Sequence, residues 1–224
     1  LPGFGRSDKP TDLSWYTFDR MADSVATLVD KLGLEKATLV CHDWGGPIGL
    51  RVATLERPEQ FSRIVAMNTG LFTGYQRMSD AWLHFRDFIA SHEDVRIAMP
   101  IQGGAGSQLS DEVIAAYEAP FPTVPTKAGV RAFPPMIPMT PDAPGAAEGQ
   151  ATGAYLQTDA RPMMLFWGDR DLALPLDPVG RAVQNFFPNA APLTVLEGGG
   201  HFVQEDQGEF IGEEIVKFIA ANPL

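Results

Sequence analysis

A strand that must turn at once into a helix leaves a chain few folds to choose from, and residues 37–47 read that way. The apolar run Ala37-Thr38-Leu39-Val40 leads into Cys41-His42-Asp43-Trp44-Gly45-Gly46-Pro47, after which a helix begins. Such a turn holds its apex residue in a strained conformation and needs small neighbours, here Cys41 and Gly45, for the backbone to reverse. The apex side chain, Asp43, is pushed beside the first N–H groups of the helix. Their unpaired donors and the helix dipole stabilise a carboxylate there. Asp43 is therefore expected to be ionised and presented as a nucleophile, although the same position also suits an Asp that merely caps the helix.

A carboxylate nucleophile directs the chemistry toward alkyl carbon, where it displaces a leaving group and becomes an ester that water and a general base must then cleave. Gly198-Gly199-Gly200-His201-Phe202 follows the strand-like Leu193-Thr194-Val195-Leu196 and offers an imidazole on a loop. Gly168-Asp169-Arg170-Asp171 follows the apolar Met163-Met164-Leu165-Phe166-Trp167 and offers a carboxylate to orient it. Each segment alone could be an ordinary turn. Together they give nucleophile, acid and histidine in the chain order of the α/β-hydrolases, each at the end of a strand. Asp169 is better suited to closing its own turn than to serving as the acid, and Asp177 is more distant still.

The resemblance then becomes specific and covers essentially the whole chain. Leu1-Pro2-Gly3-Phe4-Gly5-Arg6-Ser7-Asp8-Lys9-Pro10 resembles the loop before the first helix of haloalkane dehalogenases and the related epoxide hydrolases, and both families share His42-Asp43-Trp44-Gly45-Gly46. Ala119-Pro120-Phe121-Pro122, Ala128-Gly129-Val130-Arg131-Ala132-Phe133-Pro134 and Gly200-His201-Phe202-Val203-Gln204-Glu205 resemble one dehalogenase branch. By that resemblance Asp43 is the nucleophile, His201 the base that activates water and Asp171 the acid that holds His201. Hydrolytic dehalogenation of haloalkanes through an alkyl-aspartate ester is implied, with a small apolar halogenated substrate, water, no cofactor and no metal.

A departing halide in a dry pocket suits indole N–H groups, which donate without an acceptor or a readily lost proton. The resemblance points to Trp44 and to Trp82 as the halide-binding pair, and to the Trp44 backbone N–H as an oxyanion-hole donor. Trp82, Phe85 and Ile89 also recur at helical spacing, so Trp82 fits an ordinary core stripe as well. An epoxide hydrolase using the same triad needs a proton donor for its oxygen, for which Tyr117 or Tyr155 is available and Tyr75 is a third cap tyrosine. Fluoroacetate dehalogenases are similar but carry an arginine where Trp44 stands. A non-catalytic binding protein on the same scaffold would be expected to have lost triad residues.

With 224 residues, 45% of them hydrophobic, the chain can bury one large core with a lid. A net charge of −11 argues against nucleic acid as a partner. Cys41 is the single cysteine, which excludes an internal disulfide framework and gives no sign of an oxidising compartment, so that a cytoplasmic location is expected. Its place two residues before Asp43 suits packing. No apolar run reaches the roughly 20 residues of a membrane span, and His84 and His92 lack paired metal-binding partners. Oligomeric state is unknown from the sequence. Starting at Leu1-Pro2-Gly3, the chain is expected to be a fragment whose first strands, something on the order of 70 to 90 residues, precede it in a typical hydrolase.

The expected architecture is an α/β-hydrolase fold: a mostly parallel sheet with helices on both faces and an inserted helical cap. Residues 1–70 and 161–224 form the core, and residues 71–160 the cap. Phe18, Met21, Ala22, Val25, Leu28, Val29 and Leu32 predict an amphipathic helix between a Thr17 cap and a Gly33 stop. A helix is expected near Val179 to Phe187, and a closing helix carries Phe210, Ile211, Ile215, Phe218 and Ile219. The proline-dense Pro120 to Pro144 is expected to run as an ordered lid, with Phe85, Phe88, Phe121 and Phe133 as its aromatic surface.

Overall fold

In the computed structural model, which describes residues 1–224, four parallel strands lie in chain order: β1 (Ala37–His42), β2 (Phe61–Met67), β3 (Met163–Gly168) and β4 (Thr194–Leu196). Parallel neighbours require crossovers, and helices supply them. Helix α1 (Phe18–Leu32) precedes β1, and α2 (Gly45–Arg51) follows it directly, extended by a wider turn at Val52–Glu56. Between β2 and β3 lie α3 (Asp80–Ser91), α4 (Ala98–Gly104), α5 (Asp111–Glu118), α6 (Ala128–Ala132) and α7 (Ala146–Leu156). Helix α8 (Arg181–Gln184) joins β3 to β4, and α9 (Val203–Ala221) ends the fold.

Side chains alternate across a strand, so a strand covered on both faces reads as a continuous apolar run. Ile64 and Ala66 of β2, with Cys41, Leu165 and Trp167, pack on one side against Leu50 of α2, Leu156 of α7 and Val183 of α8. Val65 and Met67, with Phe166 and Leu196, face the other way and meet Val203 and Ile211 of α9. Fully buried side chains of this size each contribute roughly 1.5–3 kcal/mol relative to exposure. Strand β1 pairs only with β2, and its Val40 is exposed.

Local signals explain most boundaries. The Thr17 hydroxyl accepts the Arg20 N–H at 3.2 Å to open α1, and Gly33 closes it in the left-handed region at φ 59°. The buried stripe of α1 is narrower than its apolar spacing predicts. Met21, Ala22, Ala26 and Val29 are buried, whereas Leu28 and Leu32 are exposed at the margin of that arc. Ile211 is likewise buried in α9 while Phe210 and Ile219 are exposed. Helix α8 is much shorter than the expected 179–187. Pro175 and Pro178 lack backbone N–H groups, and the chain takes a wide turn at Leu176–Gly180 before four helical residues. No helix is long and apolar enough to cross a membrane.

Candidate active site

Asp43 sits between the end of β1 and the start of α2 with φ at 47°, a left-handed value that is uncommon for a residue bearing a side chain. The strain is held from all sides. Asp43 N–H donates to the Asn68 carbonyl at 3.2 Å, and its own carbonyl accepts the Gly46 N–H at 2.9 Å and the Thr69 hydroxyl at 2.5 Å. Gly46 has to be glycine, because a Cβ there would lie 1.8 Å from the Thr69 hydroxyl oxygen. The sharp turn thus depends on a bare backbone at its inner side.

His201 approaches the Asp43 carboxylate from the loop after β4, with Nε2 at 3.3 Å from Oδ1. Its Nδ1 lies 2.8 Å from Asp171 Oδ2, so the three groups predicted from the strand ends meet in one line. Asp171 is shut away from solvent, with 0% of its side chain exposed, whereas 42% of the Asp43 side chain is exposed. One carboxylate is thereby left open to a reactant and the other reserved for the imidazole.

Asp171 is satisfied completely. Oδ1 accepts the N–H groups of Ala173 and Leu174, each at 2.8 Å, and Oδ2 accepts Asn68 Nδ2 at 2.7 Å besides His201. Asp169 takes a different part: it accepts the Gly198 N–H at 2.7 Å and ties the turn after β3 to the loop that bears His201. Asp177 is mostly exposed, 4.0 Å from Arg181.

The electrostatics follow from this crowding. Burial pushes the Asp43 carboxyl up. The His201 hydrogen bond and charge, the His42 imidazole and the Trp44 backbone N–H outweigh it and hold the group at about 2. Burial works to lower His201, but hydrogen bonds and charges from Asp171 and Asp43 lift it to about 10. His42 is lowered, first by burial and then by His201. Its Nε2 lies 2.7 Å from the His201 carbonyl, to which a neutral ring protonated at that nitrogen donates.

Trp44 projects beside Asp43 and is packed edge-on by Phe72 and Phe133, each with ring centroids at 4.9 Å. Phe133 also meets Phe4 at 4.7 Å, which joins the opening loop and the proline-rich segment over the same indole. Trp82 is buried on α3, which packs on the turn Pro134–Met136 next to Phe133. Arg86 lies over the Trp82 indole at 5.5 Å. Phe121 lies 6.3 Å from Phe4, and Phe88 stacks on His92 at 4.3 Å. The Tyr117 hydroxyl donates to Glu205 Oε1 at 2.6 Å and is raised to about 12, first by burial and then by that bond. Tyr155, partly exposed on α7, lies under Arg161, and Tyr75 is exposed.

Sequence reasoning missed three contributors. Asn68 is fully buried, with φ at 35°. It accepts the Gly168 N–H on its side chain at 3.0 Å as well as donating to Asp171. An Asn following a strand carries only the signal of a turn. Thr69 and Phe72, just beyond it, carry none.

Comparisons with known proteins identify the fold and the family. Residues 1–96 match the family model described as the alpha/beta hydrolase fold. A haloalkane dehalogenase of Psychrobacter cryohalolentis is 38% identical, over 100% of this chain and 73% of its own length. One from Mycobacterium marinum is 35% identical over 97% and 73%. Among solved structures, the tetrameric haloalkane dehalogenase DpaA of Paraglaciecola agarilytica superimposes with a TM-score of 0.90 at 29% identity, covering 98% of this chain and 73% of that one. DbeA of Bradyrhizobium elkani gives 0.85 at 27%, covering 99% and 79%. Identity of 38% along the whole of this chain, on the fold described above, establishes that the chain belongs to the haloalkane dehalogenase family of α/β-hydrolases.

Proposed function

We propose that the protein hydrolyses haloalkanes to an alcohol and a halide ion through a covalent ester on Asp43. The supporting observation is the exposed, ionised carboxylate at the elbow apex with His201 Nε2 at 3.3 Å and a sealed Asp171 behind it. An Asp43 oxygen attacks the carbon bearing halogen, the carbon–halogen bond breaks, and its electron pair leaves with the halide. The indole N–H groups of Trp44 and Trp82 receive that charge.

Alkylation turns Asp43 into a neutral ester and so removes one of the charges that raise His201. The first step therefore readies the base for the second. His201 takes a proton from water while the water oxygen adds to the Asp43 carboxyl carbon, and the Trp44 N–H, already directed at that carboxylate, stabilises the oxyanion. Collapse expels the alcohol, which takes its proton back from the imidazole, and Asp43 returns to a carboxylate as one proton passes to solvent. Asp171 orients the ring and stabilises its charged form throughout.

Residues 71–160 act as the cap in this reading. Helix α7 roots it on the core through Leu156, and Phe133 closes over Trp44. The epoxide-hydrolase alternative is less well supported, since the Tyr117 hydroxyl is engaged by Glu205.

The decisive experiment is the intact mass of His201→Gln after incubation with a bromoalkane. An added alkyl group without bromine, with turnover reduced by about a thousandfold or more, is the expected result. An adduct of a whole epoxide, formed instead, would replace this reading with the alternative; a folded variant that takes up neither would favour a binding protein.

A further inference from the structure

A second acidic group holds the base loop from behind. Asp206, in the first turn of α9, accepts four hydrogen bonds: from the Gly200 N–H at 2.8 Å, the Gly106 N–H at 2.8 Å, the Ser107 N–H at 2.9 Å and the Ser107 hydroxyl at 2.6 Å. Gly200 immediately precedes His201. Gly106 and Ser107 belong to the loop between α4 and α5, in the insertion. One carboxylate therefore bridges the base loop and the cap.

The bridge continues through His201 itself. The His201 backbone N–H donates to the carbonyl of Gly104, the last residue of α4, at 2.6 Å. The two loops meet backbone to backbone with no room for side chains. A Cβ on Gly106 would lie 2.0 Å from the Gly198 carbonyl oxygen, and one on Gly200 would lie 2.2 Å from that of Gly104. Where two loops touch so closely, the carboxylate that satisfies N–H groups on both sides fixes their relative position. Burial pushes Asp206 up, but the donors from Ser107, Gly200 and Gly106 outweigh it and keep the group below the usual carboxylate range. It accepts these bonds as an anion at neutral pH.

We propose that Asp206 is a positioning residue for His201, which makes the alignment of the base depend on the docking of the 104–107 loop of the insertion. Nothing about this requires Asp206 to touch the reactants; it acts by setting where the imidazole stands. The consequence for the reaction rests on the reading above, in which Asp43 performs the first step and His201 only the second. Loss of Asp206 should slow hydrolysis of the ester and leave its formation intact, a split that general destabilisation does not produce.

The test is single-turnover kinetics of Asp206→Asn with bromobutane, following bromide and alcohol separately, together with an NMR titration of the His201 ring. The expected result is bromide release within about twofold of the unsubstituted protein, alcohol formation slowed by about tenfold or more, and an alkyl adduct visible by mass. The ring should also lose its proton at a pH at least about one unit lower, as it moves away from its two carboxylates. Equal slowing of both steps, or no slowing of either, would overturn the proposal. If the unsubstituted protein itself releases no bromide, the functional reading fails. The titration then decides the positioning role alone, an unchanged ring counting against it. Should Asp206→Asn not fold, Ser107→Ala removes one hydroxyl donor only and should slow alcohol formation about threefold by the same split; a slowing shared by both steps would again refute it.

Discussion

Around Asp171, four donors from the residue after β2, the turn after β3 and the His201 ring close on one carboxylate with no exposed surface. The insertion between β2 and β3 meets the rest of the molecule differently, through the edges of Phe133 and Phe4 and through carboxylates at the start of α9. The first arrangement is short, directional and sealed from water; the second combines apolar edges, which tolerate small shifts, with a margin pinned by Asp206 and Glu205. In the proposed reading, chemistry thus falls to the sealed carboxylate and its imidazole, and coverage of the substrate to the apolar edges.

The difference can be broken first at its rigid end. Asp171→Asn should reduce turnover by roughly a thousandfold, because the amide presents a donor where the ring N–H needs an acceptor. Halide release in steady state measures this. A loss below about tenfold would mean that another group orients His201.

The two tryptophans sharpen the contrast, since Trp44 stands on the core and Trp82 on the insertion. Trp44→Phe should weaken halide binding by about tenfold or more, as befits a hydrogen bond to an anion. Trp82→Phe should weaken it by a similar or smaller factor in a fluorescence titration. If Trp82→Phe leaves halide affinity unchanged, the insertion supplies no donor and all of that recognition belongs to the core.

A pH titration probes the rigid end without removing the fold. The His201 ring is raised to about 10 from 6.5, so the stability it contributes is complete below pH 6.5 and is lost as pH rises through about 10. Asp43 is held at about 2 against 3.8, so its share is present above 3.8 and is lost as pH falls through about 2. In Asp43→Asn the His201 ring should titrate at lower pH, and the decline in melting temperature above pH 6.5 should shrink. An unchanged ring would show that Asp171 alone supports the imidazolium. Smallest of all, Tyr117→Phe should cost about 1 kcal/mol in denaturant unfolding. Turnover of an epoxide abolished by that change would restore Tyr117 as an acid.

Much of this was legible in the residues. The elbow, Asp171 and His201 lie at strand ends, where a short apolar run followed by Gly or a small residue marks the turn. The parallel sheet followed from strands alternating with helical spacing. Asn68 and Asp206 were not legible, because each reads locally as an ordinary turn or first-turn acid and acquires the partners that matter here from segments about a hundred residues away. The exposed faces of Leu28 and Leu32 could not be read either, since periodicity gives the direction of a stripe but not the width of what packs on it.

Asn68 gives the site a particular way of failing. Its carbonyl holds the Asp43 backbone, its amide nitrogen holds Asp171, and its amide oxygen holds the end of β3. A single residue at the end of β2 thus registers three strands against one another. Loss of that strand end would release Asp43 and Asp171 together, leaving no half-assembled site. Inactivation on heating should accordingly coincide with exchange of the β2 amides rather than precede it.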